Sequence, residues 1–130
     1  MIKLPNSYNY CSAFLTFACN FNCPYCINKY NGLHRYKLMP AKDWIEGLNR
    51  IEARMDLPIT LSGGEPTLHP GFFDIVNGVD KPMDLLTNGN FDLNDFVNNV
   101  KPDKFKRNAK YASIRFSYHP NVTEIFRLLP

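Results

Sequence analysis

Strands and helices alternate along this chain, and that alternation leaves few folds open to it. Runs rich in apolar, β-branched and aromatic residues, suited to buried strands, occur at Ser12–Phe17, Pro58–Ser62, Met83–Thr87 and Ala112–Ser117. Each run is followed by a segment with helical spacing of its apolar residues: Ala41–Met55, Gly71–Val79, Leu93–Val100 and Ile125–Leu129. Parallel neighbours need a crossover connection, which is usually a helix, so this order predicts a parallel sheet.

The length of the chain limits how many such units it holds. A closed barrel of eight units takes ~250 residues, or roughly 31 per unit. The 130 residues present therefore accommodate about four. We predict one α/β domain over residues 1–130, with a partial (βα) barrel of about four parallel strand–helix units.

Composition and charge favour an ordinary globular protein. Apolar residues make up 45% of the chain and charged residues 21%, far from the signature of disorder. A net charge of +3 is too small to indicate a nucleic-acid partner by itself. Five of the 15 basic residues lie in Lys101–Lys110, which we interpret as a solvated connection, with a phosphate or polynucleotide contact as the alternative.

The cysteines indicate a metal rather than disulfides. The first ten residues contain Pro5, Asn6 and Asn9, where an export signal needs an apolar run. No stretch approaches the ~20 apolar residues that span a bilayer, so we expect a cytoplasmic protein without a membrane partner. Thiols stay reduced in the cytoplasm, where clustered cysteines bind metals more often than they form disulfides.

Three of the four cysteines lie close together. Cys19, Cys23 and Cys26 have the spacing C-x3-C-x2-C directly after the first predicted strand. Three thiolates can hold three irons of an iron–sulfur cubane and leave the fourth iron open for chemistry. Two other sites stay open, namely zinc completed by Cys11 or His34 and a four-cysteine electron carrier that uses Cys11. Cys11 precedes the strand, roughly 20 Å from the others, so we expect it in the core.

Polar motifs follow the other predicted strands. The second runs into SGGEPT, Ser62–Thr67, in which two glycines let the backbone approach a ligand closely and Glu65 can bind an ammonium group. The third ends in TNGN, Thr87–Asn90, and the fourth in SYHP, Ser117–Pro120. Each motif alone is compatible with a simple turn. Together they lie at carboxyl ends of parallel strands, where α/β folds bind their ligands.

CNFNCPYC, SGGEPTLHP and LLTNG together resemble the radical S-adenosylmethionine (radical SAM) superfamily, over roughly Phe14–Tyr118. The resemblance implies that the three clustered cysteines ligate a [4Fe–4S] cluster and that S-adenosylmethionine chelates its open iron. It places Tyr25 beside the adenine, and it implies that Gly63, Gly64 and Glu65 hold the methionine ammonium, with Glu65 as its acceptor. It further implies that Ser117 binds ribose or carboxylate and that Thr87 and Asn88 line the floor of the site.

The same resemblance implies an oxidoreductase that cleaves S-adenosylmethionine reductively to methionine and a 5′-deoxyadenosyl radical. It implies an electron donor such as flavodoxin or ferredoxin, and it leaves the substrate open. For His119 a substrate contact and an ordinary loop position both stay open. The alternatives are a non-catalytic iron–sulfur or S-adenosylmethionine-binding protein and a zinc-binding module.

Members of that superfamily generally carry six strand–helix units, whereas this chain is predicted to hold four. An unfinished barrel exposes a strand edge. We therefore expect either a truncated fragment or completion of the barrel by self-association or a partner chain.

Overall fold

The computed structural model describes residues 1–28, 37–54 and 57–120. Its strands are β1 Ile2–Lys3, β2 Cys11–Thr16, β3 Ile51–Glu52, β4 Ile59–Gly63, β5 Met83–Thr87 and β6 Ile114–Phe116. Its helices are α1 Ala41–Asn49, α2 Phe72–Gly78 and α3 Leu93–Asn99, with a 3₁₀ turn at Pro66–Leu68. In the described segments no helix is long and apolar enough to cross a membrane.

Four parallel strands form the main sheet, in the order β2-β4-β5-β6. In register, Ile59 lies beside both Cys11 and Met83, and Leu85 lies beside Ile114. The predicted parallel α/β architecture is confirmed, and each of the four predicted strands overlaps an observed one. All four carboxyl ends therefore lie along the same edge of the sheet.

The core lies between one face of this sheet and the helices. Strand side chains alternate between faces, so every second residue of β2, β4 and β5 points toward the helices. These residues form one buried cluster with side chains from the helices and their ends; its members are Ala13, Leu15, Leu48, Ile59, Leu61, Phe72, Ile75, Val76, Val79, Met83, Leu85 and Phe96. Fully burying a side chain of this size stabilises the fold by about 1.5–3 kcal/mol. The carboxyl ends of the strands thus project from a fixed apolar base.

The opposite face of the sheet carries charge. Asp84 is fully buried there and accepts hydrogen bonds from Arg107 Nε at 2.6 Å and Arg115 Nη1 at 3.1 Å. Both guanidinium groups lie over the ring of Tyr111. Lys104 also donates to the carbonyl of Val79. Lys104 and Arg107 therefore attach the 101–110 segment to the fold, while most of its residues are exposed, as expected for a solvated connection.

A two-stranded parallel ladder was not predicted. The apolar spacing assigned Ala41–Met55 to one helix, but the helix ends at Asn49 and Ile51 enters β3, which pairs with β1. Ile2 N–H donates to the carbonyl of Arg50 at 2.7 Å, and this partner is distant in sequence. Helical periodicity is a local signal and does not report such pairing. Met55 and the predicted helix Ile125–Leu129 lie outside the described residues.

Candidate functional site

A cavity of about 560 Å³ lies at the carboxyl ends of the four main strands. Of the residues predicted to form the site, all but Glu65 line it: Cys19, Cys23, Tyr25, Cys26, Gly63, Gly64, Thr87, Asn88 and Ser117. His119 lines it as well. The fold therefore brings motifs from four separate strand ends to one place.

The cysteine loop, residues 19–26, forms one wall of the cavity. Its three cysteines are free thiols; Cys23 is buried, Cys26 is half-buried and Cys19 is exposed. The same three thiols also line a smaller adjoining cavity of about 220 Å³. Within the described part of the chain, no group of three or more His, Cys, Asp or Glu side chains is already arranged to hold a metal ion. Three free thiols around one cavity nevertheless fit an iron–sulfur cluster chemically.

Electrostatics favour the protonated thiol at Cys19. Partial burial is the main cause that raises its pKa, and the nearby charges of Glu65, Cys23 and Cys26 add to the rise. The backbone N–H of Phe21, 3.4 Å from Cys19 Sγ, opposes it. A metal that binds here must therefore displace a proton, which couples metal binding to proton release.

Two glycines at the end of β4 allow it to pack closely against the residues that precede the cysteine loop. A Cβ at Gly63 would lie 2.1 Å from the carbonyl oxygen of Thr16, and a Cβ at Gly64 would lie 2.2 Å from that of Ala18. Gly63 also has a φ of 139°, a backbone angle that residues with a side chain rarely adopt. The backbone N–H groups of Gly64 and Glu65 donate to Thr16 and Ala18, both at 2.8 Å. The glycines therefore permit close contact between two backbones, a role the sequence interpretation missed.

Glu65 lies behind the cavity wall and is fully buried. Its Oε1 accepts from the hydroxyl of Thr87 at 2.6 Å and from the hydroxyl and N–H of Thr67 at 2.7 and 3.3 Å. Its Oε2 accepts from the backbone N–H of Asn88 at 2.7 Å. The carboxylate thus ties the end of β4 to the end of β5. Its predicted contact with an ammonium group stays a prediction.

Aromatic rings of the cysteine loop pack against the end of β6. The ring of His119 lies edge-on to Phe21, with centroids 5.9 Å apart, and is stacked with Tyr25 at 6.2 Å. The Tyr25 hydroxyl is 3.1 Å from His119 Nδ1. Ser117 N–H donates to the carbonyl of Thr87 at 2.8 Å. His119, which the sequence left between a substrate contact and a plain loop position, therefore belongs to the cavity wall, and its position just after a strand was the available signal.

The remaining candidates lie elsewhere. Cys11 begins β2 and packs against the core, and burial raises the pKa of its thiol. Its expected core location is met only in part, because the side chain is half-buried, and the residue lies within the strand rather than before it. His69 is buried, with Nε2 2.9 Å from the carbonyl of Met39 and Nδ1 accepting from Gly71 N–H. His34 lies outside the described residues.

Comparison with known proteins decides the family. The model of the radical SAM superfamily matches residues 14–122, which include all four motifs described above. The chain belongs to the radical SAM superfamily. The predicted membership is thereby confirmed.

Several relatives are enzymes with different names. The chain is 31% identical to 7-carboxy-7-deazaguanine synthase of Clostridium acetobutylicum over 106 residues, which are 76% of this chain and 47% of that protein. It is 26% identical to GTP 3′,8-cyclase of Clostridium perfringens, over 95% of this chain and 40% of that protein. It is 35% identical to PqqA peptide cyclase of Methylorubrum extorquens, over 48% of this chain and 16% of that protein.

The radical SAM chain thus spans less than half the length of these curated relatives. No solved structure matches it significantly.

Proposed function

We propose that this protein is a radical SAM enzyme in which Cys19, Cys23 and Cys26 hold a [4Fe–4S] cluster. One observation carries the proposal: the three free thiols line the same cavity as the ends of β4, β5 and β6. When bound, the cluster and S-adenosylmethionine supply reductive cleavage to methionine and a 5′-deoxyadenosyl radical, which abstracts hydrogen from a substrate.

The chain's own residues are proposed to bind, orient and enclose S-adenosylmethionine. Tyr25 is proposed to lie against the adenine, with His119 holding its ring at a hydroxyl-to-Nδ1 distance of 3.1 Å. Gly63 and Gly64 line the cavity, and a methionine ammonium is proposed to contact their backbone there. Ser117, at the end of β6, is proposed to donate to ribose or carboxylate. These groups fix the position of the ligand and exclude water from the reacting bond.

Glu65 is proposed to accept the ammonium at Oε2, which receives one hydrogen bond in the structure. A carboxylate oxygen accepts about two hydrogen bonds, so Oε2 has capacity for a second donor. Oε1 meanwhile receives three donors and keeps Thr67 and Thr87 in place. Because Glu65 is fully buried, contact with the ammonium requires a local movement that exposes its carboxylate to the cavity.

Partners and location complete the proposal. An electron donor such as flavodoxin or ferredoxin is required, because reductive cleavage consumes an electron. A cytoplasmic location is proposed because free thiols persist there. Self-association or a partner chain beside β6 is proposed because β6 is an edge strand of the described sheet. The relatives' names cover a nucleotide and a peptide, so the proposal specifies cofactor cleavage and leaves the substrate unassigned.

The test is anaerobic reconstitution of the full chain, followed by iron and sulfide analysis and an assay for 5′-deoxyadenosine after reduction with dithionite. The proposal expects iron and sulfide in equal amounts and 5′-deoxyadenosine that depends on reductant. A triple variant with serine at all three loop cysteines is the control and should form none. Cluster binding without 5′-deoxyadenosine would favour a non-catalytic binding protein, and zinc without iron would favour a zinc-binding module.

A further inference from the structure

A chain of hydrogen bonds links Glu65 to Cys19 through Asn88. The backbone N–H of Asn88 donates to Glu65 Oε2 at 2.7 Å. Its side-chain Nδ2 lies 3.7 Å from Cys19 Sγ and donates to Asn20 Oδ1 at 2.8 Å. Asn88 itself is buried, only 5% exposed. Asn88, just after β5, thus contacts a sulfur of the cysteine loop while its other hydrogen bonds hold it in place.

Neighbouring backbone groups fix which end of the Asn88 amide faces the sulfur. Its Oδ1 accepts from the backbone N–H of Asn90 at 2.9 Å, so the oxygen points away from Cys19. Asn20 Nδ2 donates in turn to the carbonyl of Asn90 at 2.7 Å, and Asn20 Oδ1 therefore faces Asn88. A flipped Asn88 amide would place its oxygen against the Asn20 oxygen and its NH₂ against the N–H of Asn90. The donor orientation toward sulfur is therefore the one that satisfies every group.

We propose that Asn88 is a positioning residue that donates an N–H···S hydrogen bond to Cys19 and thereby raises the reduction potential of the cluster. This inference rests on the proposed function, since it needs a cluster on Cys19. A donor withdraws electron density from a ligating thiolate, and hydrogen bonds to sulfur are one of the means by which proteins set cluster potentials. Groups that orient a ligand also contribute to metal affinity.

The backbone N–H of Phe21 donates to the same sulfur at 3.4 Å. That donor lies within the cysteine loop and is unaffected by side-chain substitution. Asn88 is therefore the donor to Cys19 that mutation can remove. Its removal leaves one N–H on the sulfur, and the cluster becomes harder to reduce.

The experiment measures the midpoint potential of the reconstituted full chain by redox titration, monitored by electron paramagnetic resonance. Asn88→Ala removes the donor, and Asn88→Asp keeps the shape and the acceptor for Asn90 N–H while replacing the donor with an oxygen. Asn90→Ala is the matched control in the same loop, because the Asn90 contacts above use its backbone. Iron release to a chelator is measured on the same samples.

We expect both Asn88 variants to bind a cluster with a lower midpoint potential, and Asn88→Asp to be the lower because it adds a negative charge. We expect a chelator to remove iron about 10-fold faster from Asn88→Ala. Asn90→Ala should match wild type in both measurements. If Asn88→Ala does not fold, Asn88→Leu, which has a similar size and adds no charge, takes its place.

Wild-type potentials in both Asn88 variants would overturn the inference while leaving the proposed function intact. Loss of all iron from both variants, with iron retained by Asn90→Ala, would also overturn it, since Asn88 would then be only a structural support. A wild-type protein that binds no iron would overturn the proposed function first and this inference with it.

Discussion

Replacing Glu65 by alanine removes the acceptor that joins the ends of β4 and β5. Two of its donors, the Thr87 hydroxyl and the Asn88 N–H, belong to residues that are only 2% and 5% exposed, so water replaces the lost acceptor poorly. A hydrogen bond to a charged group contributes about 1.5–3 kcal/mol, so losing these two costs about 3–6 kcal/mol. Thr67 is half-buried and recovers part of its loss by binding water.

Glutamine at the same position separates the two proposed roles of Glu65. Its amide oxygen can still accept from Thr67 and Thr87, but its NH₂ then faces the Asn88 N–H, and one unsatisfied buried donor costs about 1–3 kcal/mol. The change also removes the charge that binds an ammonium. We therefore expect Glu65→Gln to fold, to keep the cluster, and to bind S-adenosylmethionine more weakly by about 1.5–3 kcal/mol.

The assay is urea denaturation of the metal-free full chain by circular dichroism, with calorimetry of S-adenosylmethionine on the reconstituted protein. Glu46→Ala is the matched control, because Glu46 is exposed and its pair with Arg50 should contribute under about 0.5 kcal/mol. If Glu65→Ala destabilised the protein no more than Glu46→Ala, the buried hydrogen bonds would contribute little and the argument would fail. Unchanged affinity in Glu65→Gln would restrict Glu65 to its structural role.

Substitutions at three further places, namely the cysteines, Gly64 and Asp84, test the cluster site, the glycine contact and the buried ion pair. Serine at any one of the three loop cysteines should abolish iron binding while Cys11→Ser leaves iron content unchanged; equal loss in Cys11→Ser would indicate a four-cysteine site. Gly64→Ala forces a Cβ to within 2.2 Å of the Ala18 carbonyl and should lower the free energy of unfolding by about 1–3 kcal/mol, whereas Gly47→Ala, which meets no atom within 4 Å, should not lower it. Asp84→Ala leaves two guanidinium groups without their buried partner and should cost about 3 kcal/mol in urea denaturation; a cost below about 1 kcal/mol would contradict this.

The main sheet could be predicted because its strands are short apolar runs that end in glycine or polar residues. Met83–Thr87 was predicted with the bounds the structure has, and Ile59–Gly63 is displaced by one residue. The cysteine loop could be recognised because its three cysteines lie within eight residues of one another. These signals are local in sequence, and the parallel topology of the sheet places the corresponding residues along one edge.

Long-range contacts were not predictable in the same way. Nothing near Ile51 in the sequence indicates that it pairs with Ile2 in a ladder. The partners of Glu65 also come from another strand end, so its sequence motif indicated a ligand contact and gave no sign of the hydrogen bonds to Thr87 and Asn88. Asn88 was expected only to line the floor of the site, because its contact with Cys19 spans 69 positions.

The central claim is that three cysteines hold a cluster whose remaining iron is open to S-adenosylmethionine. The most direct measurement is electron paramagnetic resonance of the reconstituted, reduced full chain with and without S-adenosylmethionine. The reduced chain should give the spectrum of a reduced [4Fe–4S] cluster and contain about four irons, and the spectrum should change when S-adenosylmethionine binds. A cluster spectrum that S-adenosylmethionine leaves unchanged, or a protein that binds no iron, would contradict the account.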